Sequence, residues 1–279
     1  MSSLLLLLVI TPMLVSSESS EEAVTQAPQP SAPFLVSLRQ TSEDKKGPYC
    51  AGTIISPRAI LTSAYCLQRF EEEQPLELLK VVVGTNELDS GESYGIEKLV
   101  IHENYYNEDN NTIHDVAIIF TDEEIQFSDE VLPVLMRDTP VEDEEELRAF
   151  GWRSADESLS NELLEVEVIV VINDECGQAG LICALPPVPV SEESLCEGVS
   201  GGPLVDLKGG LVGILISGVG TCDTGYPNLY TSVQAYLPWI EKNLVGDYIN
   251  RHYLYVKDNS DEDGDDDDEQ GEDASTTDN

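Results

Sequence analysis

Basic residues are scarce in this sequence, and the scarcity limits what the protein can bind. The 279 residues hold 14 Lys and Arg against 54 Asp and Glu, a formal net charge of -40. Nucleic-acid binders need a basic face to neutralise phosphates, so the sequence argues against nucleic acid as a partner. An anionic membrane surface would repel the same charge. Residues 258–279 hold 12 of the acids and no Lys or Arg, yet the rest of the chain still carries -28.

Long hydrophobic runs are also missing. The apolar run Leu4–Ile10 is too short to span a bilayer, and small residues up to Ser17 suit signal peptidase. No Lys or Arg precedes Arg39, so the basic start of an ordinary signal is absent, and a buried terminal strand or helix is the alternative. We expect 1–17 to be a signal peptide of a secreted, extracellular protein that does not insert into the membrane after cleavage.

Metal-binding patterns are absent as well. No Cys-x-x-Cys pair exists and the three histidines are scattered, so we expect neither a metal site nor a cofactor. An even number of cysteines in a secreted chain predicts disulfide bonds, and the residues alone leave the pairing open. The cysteines are Cys50, Cys66, Cys176, Cys183, Cys196 and Cys222.

The ends of the chain differ in composition from its middle. Residues 18–32 are rich in Ser, Glu, Pro and Ala, which predicts a flexible lead. The acidic tail 258–279 should be disordered, because like charges repel and nothing apolar can be buried. A C-terminal extension, 245–257, precedes that tail. Asn110 begins an Asn-Asn-Thr sequon that predicts glycosylation on an exposed loop.

Between these ends the sequence predicts many short strands. Val, Ile and Leu runs recur from Phe34 onward and are broken by Gly, Pro, Asn and Asp, which is typical of a sandwich or barrel of antiparallel strands. The clearest helical spacing covers Gln234–Leu244. The predicted strands are Phe34–Leu38, Ala51–Ile55, Ala59–Leu61, Leu78–Val83, Glu97–Ile101, Val116–Phe120, Leu147–Trp152, Leu163–Ile172, Gly210–Ser217 and Leu229–Val233.

One segment carries a recognisable motif. Cys196–Leu204 reads Cys-Glu-Gly-Val-Ser-Gly-Gly-Pro-Leu and resembles the nucleophile loop Gly-Asp-Ser-Gly-Gly-Pro of chymotrypsin-like and trypsin-like serine proteases. Leu61–Cys66 is similar to that family's Thr-Ala-Ala-His-Cys, and His114–Ile118 to its Asn-Asp-Ile-Ala-Leu. Further landmarks follow in family order: Gly151-Trp152, Tyr226–Thr231 and Tyr236–Ile240.

The resemblance implies a fold. It covers Pro33 to Leu244, so we expect 33–244 to form two six-stranded antiparallel Greek-key β-barrels with a cleft between them and a C-terminal helix. It also implies three disulfide bonds: Cys50–Cys66, Cys176–Cys183 and Cys196–Cys222.

The catalytic triad implied by the resemblance is incomplete. Ser200 and Asp115 match the nucleophile and the orienting aspartate, but Tyr65 replaces the histidine. A phenol with a pKa of about 10 is a poor base for this task. Loss of the triad histidine costs on the order of 10⁶ in turnover in a related arrangement.

No other histidine is expected to substitute. His114 adjoins Asp115, and neighbours on an extended strand point to opposite faces. We expect His102 and His252 to be ordinary surface residues.

The zymogen switch and the substrate pocket also depart from the family. Family members place an Asp where Val199 stands, and that Asp pairs with a new N-terminus to shape the oxyanion hole, whose donors correspond here to the amides of Gly198 and Ser200. With Val199 in that place, we do not expect these two amides to be held in donor geometry. The activation segment falls near Glu21–Val24, where no basic residue offers a cleavage site.

In the pocket, Ile216 and Ser217 replace the family's Ser and Trp ahead of Gly218. Ser194 lies at the base, and Asn228 replaces a Gly and should narrow the pocket.

These departures predict a catalytically inactive homologue that acts by binding, as regulator, cofactor or decoy in an extracellular proteolytic pathway. One alternative is an active serine-type endopeptidase of unusual mechanism. Another is an acidic scaffold for basic ligands, which would use the tail and the runs Glu71–Glu73 and Glu142–Glu146. Those acids could equally serve solubility alone. The expected partner is an extracellular protein or peptide, basic or belonging to a protease pathway.

Overall fold

The computed structural model describes residues 32–41, 49–72, 74–87, 90–108, 111–153, 159–172, 176, 180–185, 199–217, 227–244 and 255–256. This part of the chain holds seventeen strands and two α-helices. The prediction of an all-β fold with a C-terminal helix is therefore confirmed. The proposed signal peptide, most of the lead and the acidic tail lie outside the described residues.

The first barrel is a seven-stranded sheet of antiparallel strands in the order β5-β4-β1-β2-β3-β9-β6. Its strands are β1 (Leu35–Gln40), β2 (Cys50–Ile54), β3 (Ala59–Thr62), β4 (Leu79–Val83), β5 (Glu92–Tyr94), β6 (Ile96–Ile101) and β9 (Ala117–Thr121). Helix α1 (Ala64–Glu72) follows β3 directly, and one turn of 3₁₀ helix (Leu76–Leu78) leads into β4. A separate hairpin pairs β7 (Tyr106–Glu108) with β8 (Asn111–Ile113).

The second barrel is an eight-stranded sheet in the order β14-β11-β12-β13-β16-β15-β10-β17, and an extra pairing of β14 with β15 closes it. Its strands are β10 (Met136–Arg137), β11 (Glu146–Arg153), β12 (Leu159–Val170), β13 (Leu181–Leu185), β14 (Pro203–Asp206), β15 (Leu211–Ser217), β16 (Asn228–Ser232) and β17 (Tyr255–Val256). Six strands make up the closed ring, and β10 and β17 extend it.

Strand β17 was not predicted. It lies in the C-terminal extension and pairs in parallel with β10, Met136 opposite Tyr255 and Arg137 opposite Val256. Helix α2 (Val233–Leu244) matches the predicted helix to within one residue at its start. No helix of the described residues is long and apolar enough to cross a membrane.

Three hydrophobic clusters form the core. One fills the first barrel, one the second, and the third joins them, with Leu61 and Phe120 from the first packing with Val205 and Ile214 from the second. Ala32, predicted to end the flexible lead, is instead buried in the joining cluster. The expected cleft between the barrels stays a prediction.

Hydrogen bonds and disulfides fasten the barrels. The carbonyl of Asn86 accepts the Trp152 indole N–H at 3.0 Å and the Leu163 amide at 2.9 Å, which ties the end of β4 to the second sheet. Two expected disulfides, Cys50–Cys66 and Cys176–Cys183, are present. Cys196 and Cys222 lie outside the described residues.

Candidate functional site

Ser200 sits where the two barrels meet. Its carbonyl accepts the amide of Ala51 on β2 at 2.9 Å, and the next amide, that of Gly201, donates to Leu215 on β15 at 2.7 Å. Ser200 is half-buried. The serine predicted as nucleophile is therefore anchored through its backbone between one strand of each barrel.

Gly201 is the residue that permits this close approach. Its φ is +85°, and an added Cβ would lie 2.2 Å from the Ala51 carbonyl oxygen and 2.4 Å from Thr62 Oγ1. A real Cβ cannot approach that closely, and L side chains rarely adopt that φ. The glycine after Ser200 is thus required by geometry for the loop to dock on the first barrel.

Asp115 lies just before β9 and is buried, with 1% of its surface exposed. Ser63 Oγ lies 2.8 Å from both carboxylate oxygens, and the backbone N–H of Tyr65 donates to Oδ1 at 2.8 Å. The Asp115 carbonyl accepts the Thr231 hydroxyl at 2.8 Å. The aspartate is therefore fixed from β3, from helix α1 and from β16 together.

Burial has the largest effect on the pKa of the Asp115 carboxyl. Loss of water raises the pKa of its carboxyl to about 6, against the lowering effect of the hydrogen bonds from the Tyr65 amide, the Ser63 hydroxyl and the Ala64 amide. In a complete triad the aspartate would hold and stabilise an imidazolium. Here it is held by a hydroxyl and amides.

Tyr65 occupies the second residue of helix α1, where the family places the base. Its backbone reaches Asp115, but 45% of the residue surface is exposed to solvent while Asp115 is buried. The Asp115 carboxylate accepts from the amide of Tyr65 and not from its phenol. Tyr65 therefore keeps the backbone contact of the histidine position without the imidazole that the triad requires.

Ser63 is the site residue that sequence reasoning missed. It stands at the first Ala of the family's Thr-Ala-Ala-His-Cys motif, so the substitution was visible in the sequence. Its hydroxyl supplies a donor to Asp115 where Ile216, buried in β15, no longer can. The sequence feature that could have indicated this role is the polar Ser63, which stands in place of an Ala two residues before Tyr65.

Val199 packs into the cluster that joins the barrels and is 6% exposed. The family carboxylate at this place pairs with a new N-terminus, whereas a valine side chain can only make apolar contacts. Its carbonyl accepts the Gly202 amide at 2.9 Å, which closes the turn around Ser200. Gly198, the other predicted oxyanion residue, lies outside the described residues.

The predicted pocket is only partly described. Asn228 is half-buried at the start of β16, opposite Ala184. Burial raises the pKa of Tyr230, and a hydrogen bond from Asn228 opposes that rise, so the amide is engaged with the phenol. Ser194 and Gly218 lie outside the described residues, and the narrowing of the pocket by Asn228 stays a prediction.

The two histidines in the described part of the chain, His102 and His114, are both engaged away from Ser200. His114 Nδ1 lies 2.9 Å from the Tyr236 hydroxyl on helix α2. The expectation for His102 was wrong: it is 9% exposed and packs against His114, Tyr236 and Trp239. A surface assignment from the turn sequence failed because α2 covers this turn. His252 lies outside the described residues.

Two further predictions concern glycosylation and metal binding. Asn110 of the sequon lies outside the described residues, so glycosylation stays a prediction. Among the residues that are described, no three His, Cys, Asp or Glu side chains gather in a way that could hold a metal ion.

Comparison with known proteins places this geometry in a family. Residues 23–240 match the protein family described as Trypsin. Trypsin Tyr p 3.0101 of Tyrophagus putrescentiae is 30% identical over 231 residues, covering 78% of each chain. Serine protease SP24D of Anopheles gambiae is 29% identical over 202 residues, covering 70% of this chain and 72% of the relative.

A solved structure agrees. Neuropsin, a serine protease expressed in the limbic system of mouse brain, superposes with a TM-score of 0.64 at 25% identity, covering 77% of this chain and 95% of neuropsin. With the barrels, the joint and the placement of Ser200 and Asp115, these matches lead to one conclusion: the chain belongs to the trypsin family.

Proposed function

We propose that this trypsin-family protein is secreted, does not cleave peptide bonds, and acts by binding an extracellular protein or peptide. Its role would be that of regulator, cofactor or decoy in a proteolytic pathway. One observation carries the proposal: Tyr65 stands in the place of the base, with its backbone bonded to Asp115 and its side chain 45% exposed.

The chemistry supports inactivity at each step. Peptide hydrolysis needs a group that takes the serine proton and returns it to the leaving amine near neutral pH. The side chain of Tyr65 has no basic ring nitrogen like that of imidazole, so it cannot take the proton of Ser200 as the histidine would. Val199, buried at the place of the family's switch carboxylate, removes the usual route to a formed oxyanion hole.

Binding needs none of these groups. The proposed binding surface is the expected cleft between the barrels, to which Tyr65, 45% exposed, would contribute an aromatic ring. Tyrosine provides large contact area at small entropic cost, which is why it is enriched at interfaces. The survival of Asp115 is explained by its hydrogen bonds to Ser63 and Tyr65, and does not require catalysis.

An alternative function, an endopeptidase of unusual mechanism, would use the retained Ser200 and Asp115. It requires turnover that depends on the Ser200 hydroxyl. Purified protein should therefore be assayed on casein beside a Ser200→Ala variant. Equal, background hydrolysis by both supports the binding role, and hydrolysis lost only in the variant rejects it.

The binding role is tested by capture from the extracellular fluid in which the protein is found. Tyr65→Asp places a charge in the cleft. Leu207→Asp is its matched control, because Leu207 is 57% exposed and directly follows β14, outside the loop that carries Ser200. We expect capture of a discrete partner by wild type and by Leu207→Asp, and at least a tenfold loss with Tyr65→Asp. Equal capture by all three proteins would exclude the cleft as the binding surface.

A further inference from the structure

Two histidines are stacked behind the candidate site. The rings of His102 and His114 have centroids 4.5 Å apart and planes within 5° of each other. Tyr236 lies edge-on to both rings, and Trp239 packs against His102 with centroids 5.2 Å apart. The pair thus fills the space between the turn before the β7–β8 hairpin, the turn before β9, and helix α2.

His102 is held in its neutral form. The Asn104 amide donates to His102 Nδ1 at 3.2 Å, so this nitrogen must carry a lone pair and the proton must sit on Nε2. Burial lowers the pKa of His102, and neighbouring His114 lowers it further, while Glu103 acts in the opposite direction. A proton arriving at Nδ1 therefore breaks the turn's hydrogen bond and places charge beside a second imidazole.

His114 is held in an uncommon backbone conformation. Its φ is +54°, which few residues without the freedom of glycine adopt. The hydrogen bond to the Tyr236 hydroxyl and the stack on His102 fix its side chain. The next residue is Asp115, whose carboxylate bonds the amide of Tyr65. A movement of the His114 backbone would therefore also move Asp115 and the amide of Tyr65 that is bonded to it.

We propose that this stacked pair is an acid-sensitive latch. Protonation separates the rings, frees the strained backbone at His114 and shifts Asp115 together with Tyr65. The latch is a property of the fold and is independent of whether the cleft binds a partner. It would let mild acid change the cleft without any change in covalent structure.

The described residues bring several charged or titratable groups to the pair. The turn of His102 supplies Glu103, whose carboxylate accepts the Trp239 indole N–H at 2.8 Å. Helix α2 supplies Tyr236, and Lys242, which acts on Glu103. The segment of His114 supplies Asp115. Any test must remove the titration of Asp115, because the pKa of its carboxyl, about 6, lies in the pH range in which histidines titrate.

The experiment is an NMR titration of the full chain from pH 8 to pH 5 in an Asp115→Asn background. Histidine ring signals report protonation, and the backbone amides of Ser63 and Tyr65 report the cleft. The matched control adds His114→Asn. Asparagine tolerates positive φ, can still bond Tyr236, is the family residue at this place, and does not titrate.

We expect the second proton to bind the pair at least tenfold more weakly than the first. The Ser63 and Tyr65 amides should shift with the midpoint of the first ring, and the shift should vanish in the His114→Asn control. The proposal is overturned if the two rings titrate independently, if the amides stay still through the ring titration, or if their shift is unchanged in the control.

Discussion

At the scale of single residues, the buried carboxylate of Asp115 defines the state of the site. Hydrogen bonds from Ser63 and from the amide of Tyr65 hold it, yet burial still raises its pKa to about 6. The folded protein thus binds a proton at Asp115 more tightly than the unfolded chain does. Its ionisation opposes folding, so the contribution of Asp115 to stability is greatest below pH 4 and is lost as pH rises from about 4 to about 6.

The variant Asp115→Asn should therefore stabilise the protein at neutral pH. An amide keeps an acceptor for Tyr65 and Ser63 and carries no charge. We expect the free energy of unfolding to rise by roughly 1 to 3 kcal/mol at pH 7.5 and to be nearly unchanged at pH 4. Urea unfolding at the two pH values measures this. A loss of stability at pH 7.5 would show that the ionised carboxylate is needed where it is.

Restoring the base at Tyr65 should not restore a protease. The variant Tyr65→His rebuilds the triad by composition, but Val199 stays buried in the joint between the barrels. We expect hydrolysis of fluorogenic peptides no faster than by the double variant Tyr65→His, Ser200→Ala. Strong turnover that depends on Ser200 would mean that the loop around it already holds a working oxyanion hole.

Sequence motifs were enough to select Ser200, Asp115 and Tyr65 as candidate site residues. Each of them stands in a short segment whose neighbouring residues match a motif of the family. The role of Ser63 could not be predicted in the same way. It depends on the register of β3 against β9, which places Thr62 opposite Ala117 and brings the two chain segments side by side. His102 was misplaced for a similar reason, since its burial depends on a helix more than a hundred residues away in the sequence.

At the scale of elements, the loop carrying Ser200 depends on a glycine that nothing can replace. The variant Gly201→Ala should cost more than about 3 kcal/mol, because it combines positive φ with a clash against the Ala51 carbonyl oxygen and Thr62. The matched control is Gly209→Ala, with φ +87° and nothing within 4 Å of the added Cβ. We expect it to cost about 1 kcal/mol.

Thermal unfolding of Gly201→Ala and Gly209→Ala distinguishes the cost of backbone strain from the cost of the steric clash. Similar losses in the two proteins would mean that backbone strain alone acts at Gly201 and that the two barrels are not in close contact there.

Strand periodicity predicted most elements, and the exceptions have a physical cause. Val116–Phe120 and Leu147–Trp152 were placed because a continuous apolar run is typical of a strand buried on both faces and an alternating run is typical of a strand buried on one. Strand β17 has two residues, too few for a period, and exists through its parallel partner β10. Helix α1 was not predicted either, and only its first three residues belong to the histidine motif. The remaining strands that were not predicted are β5, β7, β8, β10, β13 and β14.

At the scale of the whole molecule, acidity belongs to the folded domain as well as to the tail. Residues 33–257 hold 39 acids and 14 bases, a net charge of -25. Ion pairs relieve part of the repulsion locally, such as those of Arg137 with Glu145 and Asp206. Self-repulsion on this scale destabilises a compact state, and salt screens it.

Salt should accordingly stabilise the domain whether or not the tail is present. Raising NaCl from about 0.02 M to about 0.5 M shortens the screening length severalfold. We expect the thermal midpoint to rise by a few degrees for the full chain and for a chain ending at residue 257. If truncation abolished the salt effect, the tail and not the barrel surface would be the source of the repulsion.

The central claim is that Ser200 is not an activated nucleophile, and covalent labelling tests it most directly. Purified protein is incubated with a fluorophosphonate probe at pH 7.5, beside an active trypsin as positive control and a Ser200→Ala variant as background. The account predicts rapid labelling of the trypsin, and for this protein no signal above that of the variant. Stoichiometric labelling of the wild type that disappears with Ser200→Ala would contradict it.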